Sequence, residues 1–203
     1  RGVLTLVPTL IYCFWRSNPS IANTDLQMSF TPASYREGVQ NQLDEFPGMT
    51  MATWQQCPDS LGYVHARSAN PFDKPIIQPN YLKEENDRRV LLAGMKMARQ
   101  LLQSKPLEPY YDREIFPGKG VQRDDELLDA AKARGTTTFH PMGTCRMGPD
   151  TDPTAVVDDQ LRVHGIERLR VADASIMPVV TSGNTNAPTV MIAEKGARFI
   201  LEC

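Results

Sequence analysis

The chain has 203 residues, 41% of them hydrophobic, enough for one ordinary domain or two small ones, with 22 Lys and Arg against 24 Asp and Glu. The resulting formal charge of −2 gives no electrostatic drive toward nucleic acid or an anionic membrane, and neither partner is expected. Sixteen prolines and 13 glycines call for many turns, while the apolar content excludes a disordered chain.

The chain opens on Arg1-Gly2-Val3, and residues 3–15 form its most apolar run. That run is shorter than the ~20 residues of a membrane-spanning helix and Pro8 interrupts it, so no transmembrane segment is predicted. Ser20-Ile21-Ala22 imitates the small residues of a signal-peptide cleavage site, but Trp15-Arg16 intervenes. A buried strand or helix packed on an earlier piece of chain is expected there instead. Leu26, Met28 and Phe30 then alternate with polar residues, as in a strand with one face toward water. A second strand is predicted over 49–56, with Met49, Met51 and Trp54 toward the core, and a short third over 62–66 ahead of Ser68-Ala69-Asn70-Pro71. No helix separates these strands, so antiparallel pairing is expected.

Leu91, Met95, Ala98 and Leu102 form one apolar stripe and predict a helix over 87–103, with Asn86 or Asp87 as its cap and Pro106 beyond its end. A second helix is predicted over 124–134: acids fill its first turn, Lys132 and Arg134 its last, and Gly135 offers a left-handed stop. From Thr136 the texture changes. Pro141, Gly143, Gly148-Pro149 and Pro153 punctuate loops that lead to two short strands over 161–163 and 169–171, joined by a hairpin at 164–167. A closing helix is predicted over 188–201, with Pro188 in its first position and Asn186 or Ala187 before it. Val190, Ala193, Ala197 and Ile200 line one face while Met191, Ile192 and Phe199 lie on others, so burial on more than one side is expected.

Three histidines could carry chemistry. His65 on a strand and His164 in a hairpin suit structural roles. His140 lies in a rigid loop punctuated by Gly and Pro, where function often resides, although a single loop histidine is more often structural than catalytic. A metal centre built from His140, Cys145 and His164 would lack a fourth ligand at recognisable spacing, so none is predicted. Thr181-Ser182-Gly183 is not a nucleophile elbow. Cys145 beside His140 fits a packed small hydrophobe better than a nucleophile. The cysteines at 13, 57, 145 and 203 show no paired spacing, which predicts no disulfide framework and fits a reducing, cytoplasmic compartment.

Three stretches carry a resemblance: residues 139–148, Phe139-His140-Pro141-Met142-Gly143-Thr144-Cys145-Arg146-Met147-Gly148; Val163-His164-Gly165 with residues 169–178; and Gly183-Asn184-Thr185-Asn186-Ala187-Pro188-Thr189. Together they resemble the C-terminal part of the glucose–methanol–choline oxidoreductases, nearest to the choline dehydrogenase and bacterial alcohol dehydrogenase branch. The resemblance is dense over 136–203. It extends over 24–110, where Ile76-Ile77-Gln78-Pro79-Asn80-Tyr81 precedes the long helix, and it fades over 1–23.

The resemblance implies an α+β architecture, an antiparallel sheet with flanking helices, divided into a lead-in over 1–23, a substrate-domain region over 24–135 and a catalytic, FAD-contacting segment over 136–203. The family's Gly-x-Gly-x-x-Gly turn for the pyrophosphate does not occur in these 203 residues. The expectation is therefore a C-terminal portion whose last segment packs on an N-terminal FAD-binding portion supplied elsewhere. The implied activity is oxidation of a small-molecule alcohol to an aldehyde or ketone. By position His140 matches the active-site histidine and Asn186 its partner, which in the family is Asn or His. The base removes the hydroxyl proton as hydride leaves for the flavin. A neutral imidazole suits that proton, and an amide holds the alcohol oxygen without adding charge.

The resemblance also places FAD contacts at Asp173 and Ala174 and at Asn186, Ala187, Pro188 and Thr189. Asp173 orders the loop, or offers its backbone to the ribityl-phosphate region of the cofactor, or is a turn-capping carboxylate. At the helix start, open N–H groups and the dipole would favour an anionic reduced flavin. Trp54 and Tyr63 could contribute to a cage for a quaternary ammonium, but both suit sheet packing better. The rival expectation is a non-catalytic remnant that keeps the substrate-domain fold as a binding or interaction module.

Overall fold

The alternation at 26–30 becomes the middle strand of a three-stranded antiparallel sheet in a computed structural model, which describes residues 9, 11–36 and 42–202. The chain forms two units, one from Arg1–Gln56 with Leu82–Thr136, the other from Cys57–Tyr81 with Thr137–Cys203. The ribbon at 57–81 thus clusters with the C-terminal residues.

In the first unit β1 (Ile11–Trp15), β2 (Leu26–Thr31) and β3 (Thr50–Gln55) lie in the order β1-β2-β3, with Met28 opposite Cys13 on one side and Thr53 on the other. Leu26 and Met28 pack with Val90, and Cys13, Met51 and Met97 close around them. The wet face expected for β2 does not exist. Gln27 is 0% exposed, and Ser29 and Thr31 are also buried. Strands flank β2 on both edges, and two of its polar side chains meet others of their kind: Gln27 accepts from the Gln56 amide, and Thr31 Oγ1 lies 3.3 Å from Thr9 Oγ1. The apolar run at 3–15 ends in β1, but as an edge strand with Ile11, Tyr12 and Trp15 exposed rather than buried, because no further strand is paired beyond it among the described residues. The rest of that run, residues 3–8 and 10, lies outside the described residues.

Helix α1 (Glu85–Leu102) crosses this sheet at Gly94, where any side chain would collide with Thr53 Oγ1 and Leu26 Cδ1. That close approach turns the helix so that Asp87, Val90, Gly94 and Ala98 face inward, and Leu91, Met95 and Leu102 are half-buried at its flank. The apolar stripe of the sequence is therefore displaced, because the smallest residue selects the contact line. The helix also begins earlier than predicted. Glu84 precedes it without a side-chain cap, so Asn86 and Asp87 lie inside the first turn, where the negative charges of Glu85 and Asp87 complement the positive end of the helix dipole.

Helix α2 (Asp124–Arg134) has the predicted bounds. The Glu126 carboxylate accepts the N–H groups of Gln122 and Arg123, both at 3.2 Å, and Leu127 is its buried anchor. Gly135 is not left-handed: at φ −63° it leaves the helix extended, after donating to the Ala131 carbonyl at 2.6 Å.

In the second unit the strand predicted over 62–66 is β4 (Tyr63–His65), paired antiparallel with β5 (Ile76–Gln78) in a ribbon of its own. The strands expected at 161–163 and 169–171 reduce to one bridge, Arg162 with Arg170, since Leu161 at φ 66° and Arg168 at φ 61° turn the backbone out of any longer ladder. Val157, Leu161, Ile176, Met177 and Ile192 form the buried core. Ile192 comes from α3 (Asn186–Leu201), which starts two residues before Pro188, so the proline sits third in the helix, where its missing N–H still costs nothing. Only Ile192 and Gly196 of α3 are buried, against an expectation of burial on several sides; Val190 is 54% exposed, and Met191 and Ile200 are exposed with it. A single line of α3 meets its unit's core, because Gly196 brings the helix against Ala172. Among the described residues no helix is long and apolar enough to cross a membrane.

Candidate active site

The loop that carries His140 is shaped by three residues. Phe139 has a left-handed backbone at φ 59°, with its N–H donated to Thr137 Oγ1 at 3.1 Å. Pro141 biases His140 toward the extended region by the clash of its ring with the preceding backbone. Gly143 turns the chain at φ 80°, a conformation glycine adopts without steric penalty.

Beyond that turn the loop is latched onto residues 174–176. Gly143 N–H donates to the Ala174 carbonyl at 3.4 Å, Cys145 N–H to Ser175 at 2.9 Å, and Met147 N–H to Ile176 at 2.8 Å. The acceptors form a single 3₁₀ turn, Ala174–Ile176, whose start is capped by the Asp173 carboxylate accepting Ser175 N–H at 2.8 Å. Ile176 and Met177 lie in the same apolar core as Ile192 of α3, and Met142 of the loop packs against that core. One core and one latch thus hold the His140 loop, the 173–177 segment and α3 to each other.

The sequence-predicted residues occupy distinct positions in this frame. His140 is half-buried, and neither ring nitrogen has a hydrogen-bond partner among the described residues. Asn186 is the exposed first residue of α3 and makes no hydrogen bond to His140 among the described residues. Ala187 is exposed, while Pro188 and Thr189 are half-buried. Thr189 bonds back to the Thr185 carbonyl through its N–H at 3.0 Å and its hydroxyl at 2.6 Å. With Pro188 lacking a donor, the N–H groups of Asn186 and Ala187 at this helix start have no partner among the described residues. Asp173 spends its carboxylate on the turn, and the Ala174 carbonyl serves the latch.

The other candidates lie away from this loop in their contacts. His164 Nε2 lies 3.1 Å from the Gly148 carbonyl, with Nδ1 3.5 Å from the exposed Asp150 carboxylate. His65 is tilted against the Tyr63 ring, centroids 4.7 Å apart. Cys145 carries no disulfide. No group of His, Cys, Asp and Glu suited to a metal ion occurs among the described residues. Two carboxylates brace the surrounding turns. Burial pushes Asp158 up, but the Arg162 N–H, the Arg162 guanidinium and the Gln160 N–H together hold it below its ordinary value. The Thr154 hydroxyl and N–H hold Asp152 low. The carbonyls of 174–176 are the functional groups that sequence reasoning missed, since any residue supplies a carbonyl and no side chain advertises it.

A family model described as GMC oxidoreductase matches residues 58–193, from just before β4 into α3 and across the whole latch. The chain belongs to the GMC oxidoreductase family. Among its relatives, an alcohol dehydrogenase [acceptor] from Pseudomonas putida is 41% identical over 188 residues, covering 93% of this chain and 34% of its own. The mitochondrial choline dehydrogenase of Mus musculus is 42% identical over 191 residues, covering 92% of this chain and 31% of its own. The solved pyridoxine 4-oxidase from Mesorbium loti superposes with a TM-score of 0.83 at 28% identity, over 95% of this chain and 38% of that one. A formate oxidase gives 0.78 at 25% identity, over 89% and 32%. This GMC oxidoreductase chain therefore spans about a third of the length of the curated relatives it matches, at 34% and 31%. Its antiparallel sheets with flanking helices are the α+β architecture expected of the family's C-terminal part.

Proposed function

We propose that this chain is the C-terminal part of an FAD-dependent alcohol oxidoreductase, with His140 as the base that takes the substrate's hydroxyl proton and Asn186 as the group that holds the alcohol oxygen. The observation that carries the proposal is the latch. Three backbone hydrogen bonds fix the His140 loop to the segment that shares a core with α3, while the imidazole nitrogens have no partner among the described residues.

The residues present fit the cofactor in part. The N–H groups of Asn186 and Ala187 stand at the positive end of α3, suited to negative charge. The Asp173 carboxylate is committed to Ser175 N–H, so a cofactor contact at Asp173 and Ala174 is made by backbone. Pro188 and Thr189 shape the helix start rather than donate to a ligand. Bound FAD supplies the acceptor for hydride. His140 receives the hydroxyl proton on an imidazole nitrogen, which a neutral ring does near neutral pH. The Asn186 amide donates to the alcohol oxygen and steadies the charge that grows there as the proton leaves. The exposed apolar side chains of α3, among them Val190, Met191 and Ile200, suit packing against the FAD-binding portion of a longer protein.

In that longer flavoprotein His140→Ala is expected to slow flavin reduction by alcohol by roughly 10²- to 10⁴-fold, the usual contribution of a positioned base, with flavin content little changed. Near-normal single-turnover reduction in this variant would overturn the proposal.

A further inference from the structure

Phe139 stands where a bulky L-residue is least at ease. Its backbone is left-handed at φ 59°, and its side chain is 70% exposed, so burial within its unit does not compensate that conformation. The two sides of the loop impose it instead. On one side Thr137 Oγ1 accepts the Phe139 N–H at 3.1 Å. On the other, the latch from Gly143 to Met147 fixes the chain two residues past Pro141, which in turn restricts His140. His140 is strung between these two anchors, and the peptide that enters it turns at Phe139. Returning Phe139 to negative φ with both anchors kept would swing the Cα–Cβ bond of His140 away from its present direction.

We propose that Phe139 is a positioning residue for His140: its left-handed backbone, rather than its ring, sets the direction in which the imidazole leaves the loop. The inference rests on His140 being the base proposed above.

The test uses the full-length flavoprotein and separates backbone from ring. Phe139→Gly and Phe139→Asn remove the ring but tolerate positive φ, whereas Phe139→Ile keeps apolar bulk and resists it. Gly and Asn should stay near the wild-type rate of flavin reduction. Ile should fall by about 10²-fold, the scale of a misplaced catalytic group. The His140 imidazole resonances should keep their wild-type chemical shifts in the Gly and Asn variants and be displaced in the Ile variant. In a His140→Ala background the Ile substitution should cost nothing more, because its effect passes through the imidazole. Thermal unfolding of Phe139→Asn should come no earlier than that of wild type, since a strained residue is replaced by a tolerant one. If Gly and Asn fall about 10²-fold below wild type, the ring carries the effect and the proposal fails, a result that stands even where the Ile variant does not fold. It also fails if Ile reacts like wild type, or if its penalty persists without His140. A His140→Ala variant that reacts normally would instead sink the assignment of the base, a separate and recognisable outcome.

Discussion

Gly196 is the position where a single methyl measures how closely α3 is seated. A Cβ there would lie 2.9 Å from the Ala172 Cβ and 3.1 Å from Leu161 Cδ1, against about 3.5–4.0 Å for relaxed carbon contacts. The Ala172 methyl has no rotamer through which to escape, and Leu161 is buried in the core. The backbone of α3 must therefore retreat by several tenths of an ångström. Overpacking of this kind costs about 1–3 kcal/mol, and two short contacts with one immovable partner place it in the upper part, about 2–3 kcal/mol. Alanine in place of glycine inside a helix returns about 1 kcal/mol. Gly196→Ala should thus lose about 1–2 kcal/mol net. At this chain length that lowers the thermal midpoint by roughly 2–8 °C. Combining it with Ala172→Gly should recover much of the loss, since the shorter contact disappears. A Gly196→Ala protein as stable as wild type, or more so, would show that helix propensity alone decides and that α3 does not touch Ala172 as described.

Two further outcomes follow from the site and its braces. Asn186→Asp should reduce flavin more slowly than Asn186→His, by roughly 10²–10³-fold relative to wild type, because a carboxylate removes the donor and repels charge growing on the alcohol oxygen; stopped-flow rates that match wild type would reduce Asn186 to a helix-start residue. Asp158, held below 3.8 by its Arg162 and Gln160 donors against the opposing effect of burial, contributes stability that is complete above that value and lost as pH falls through the lowered folded value. Urea midpoints of Asp158→Asn should therefore lie below wild type at pH 7 and converge with it in strong acid, and an equal gap at both pH values would contradict the assignment.

Much of this was legible in the residues, for identifiable reasons. The bounds of α2 were readable because charge marks both of its ends, Asp124 to Glu126 at one and Lys132 with Arg134 at the other. The start of α1 was not, because Glu84 caps nothing with its side chain and the best capping residues, Asn86 and Asp87, lie within the helix. Its inward line was hidden by Gly94, which adds nothing to an apolar count yet decides where helix and sheet touch. At the site, the density of Gly and Pro around His140 marked the loop. The turn at Asp173 was foreseen as one of three alternatives, and the carboxylate is the cap. The latch was out of reach, since its acceptors are main-chain carbonyls. Burial of Gln27 was equally invisible, because alternation identifies which residues share a face but not what later covers it.

The interleaving of the two units bears on how the chain can be divided. Residues 57–81 interrupt the first unit and residues 82–136 interrupt the second, so each is a composite of two separated segments. No single cut releases either one whole. Ending the chain after Thr136 would leave the β4–β5 hairpin without the C-terminal residues it clusters with, and a lone two-stranded ribbon is marginal in water. During synthesis the same hairpin emerges long before 137–203 and must wait for them, which makes this unit dependent on distant contacts and slow to complete. Nicks at 56–57 or 81–82 should accordingly loosen both units, and a library of truncations should contain no intermediate length that holds the His140 loop and the ribbon in their native state except the nearly intact chain.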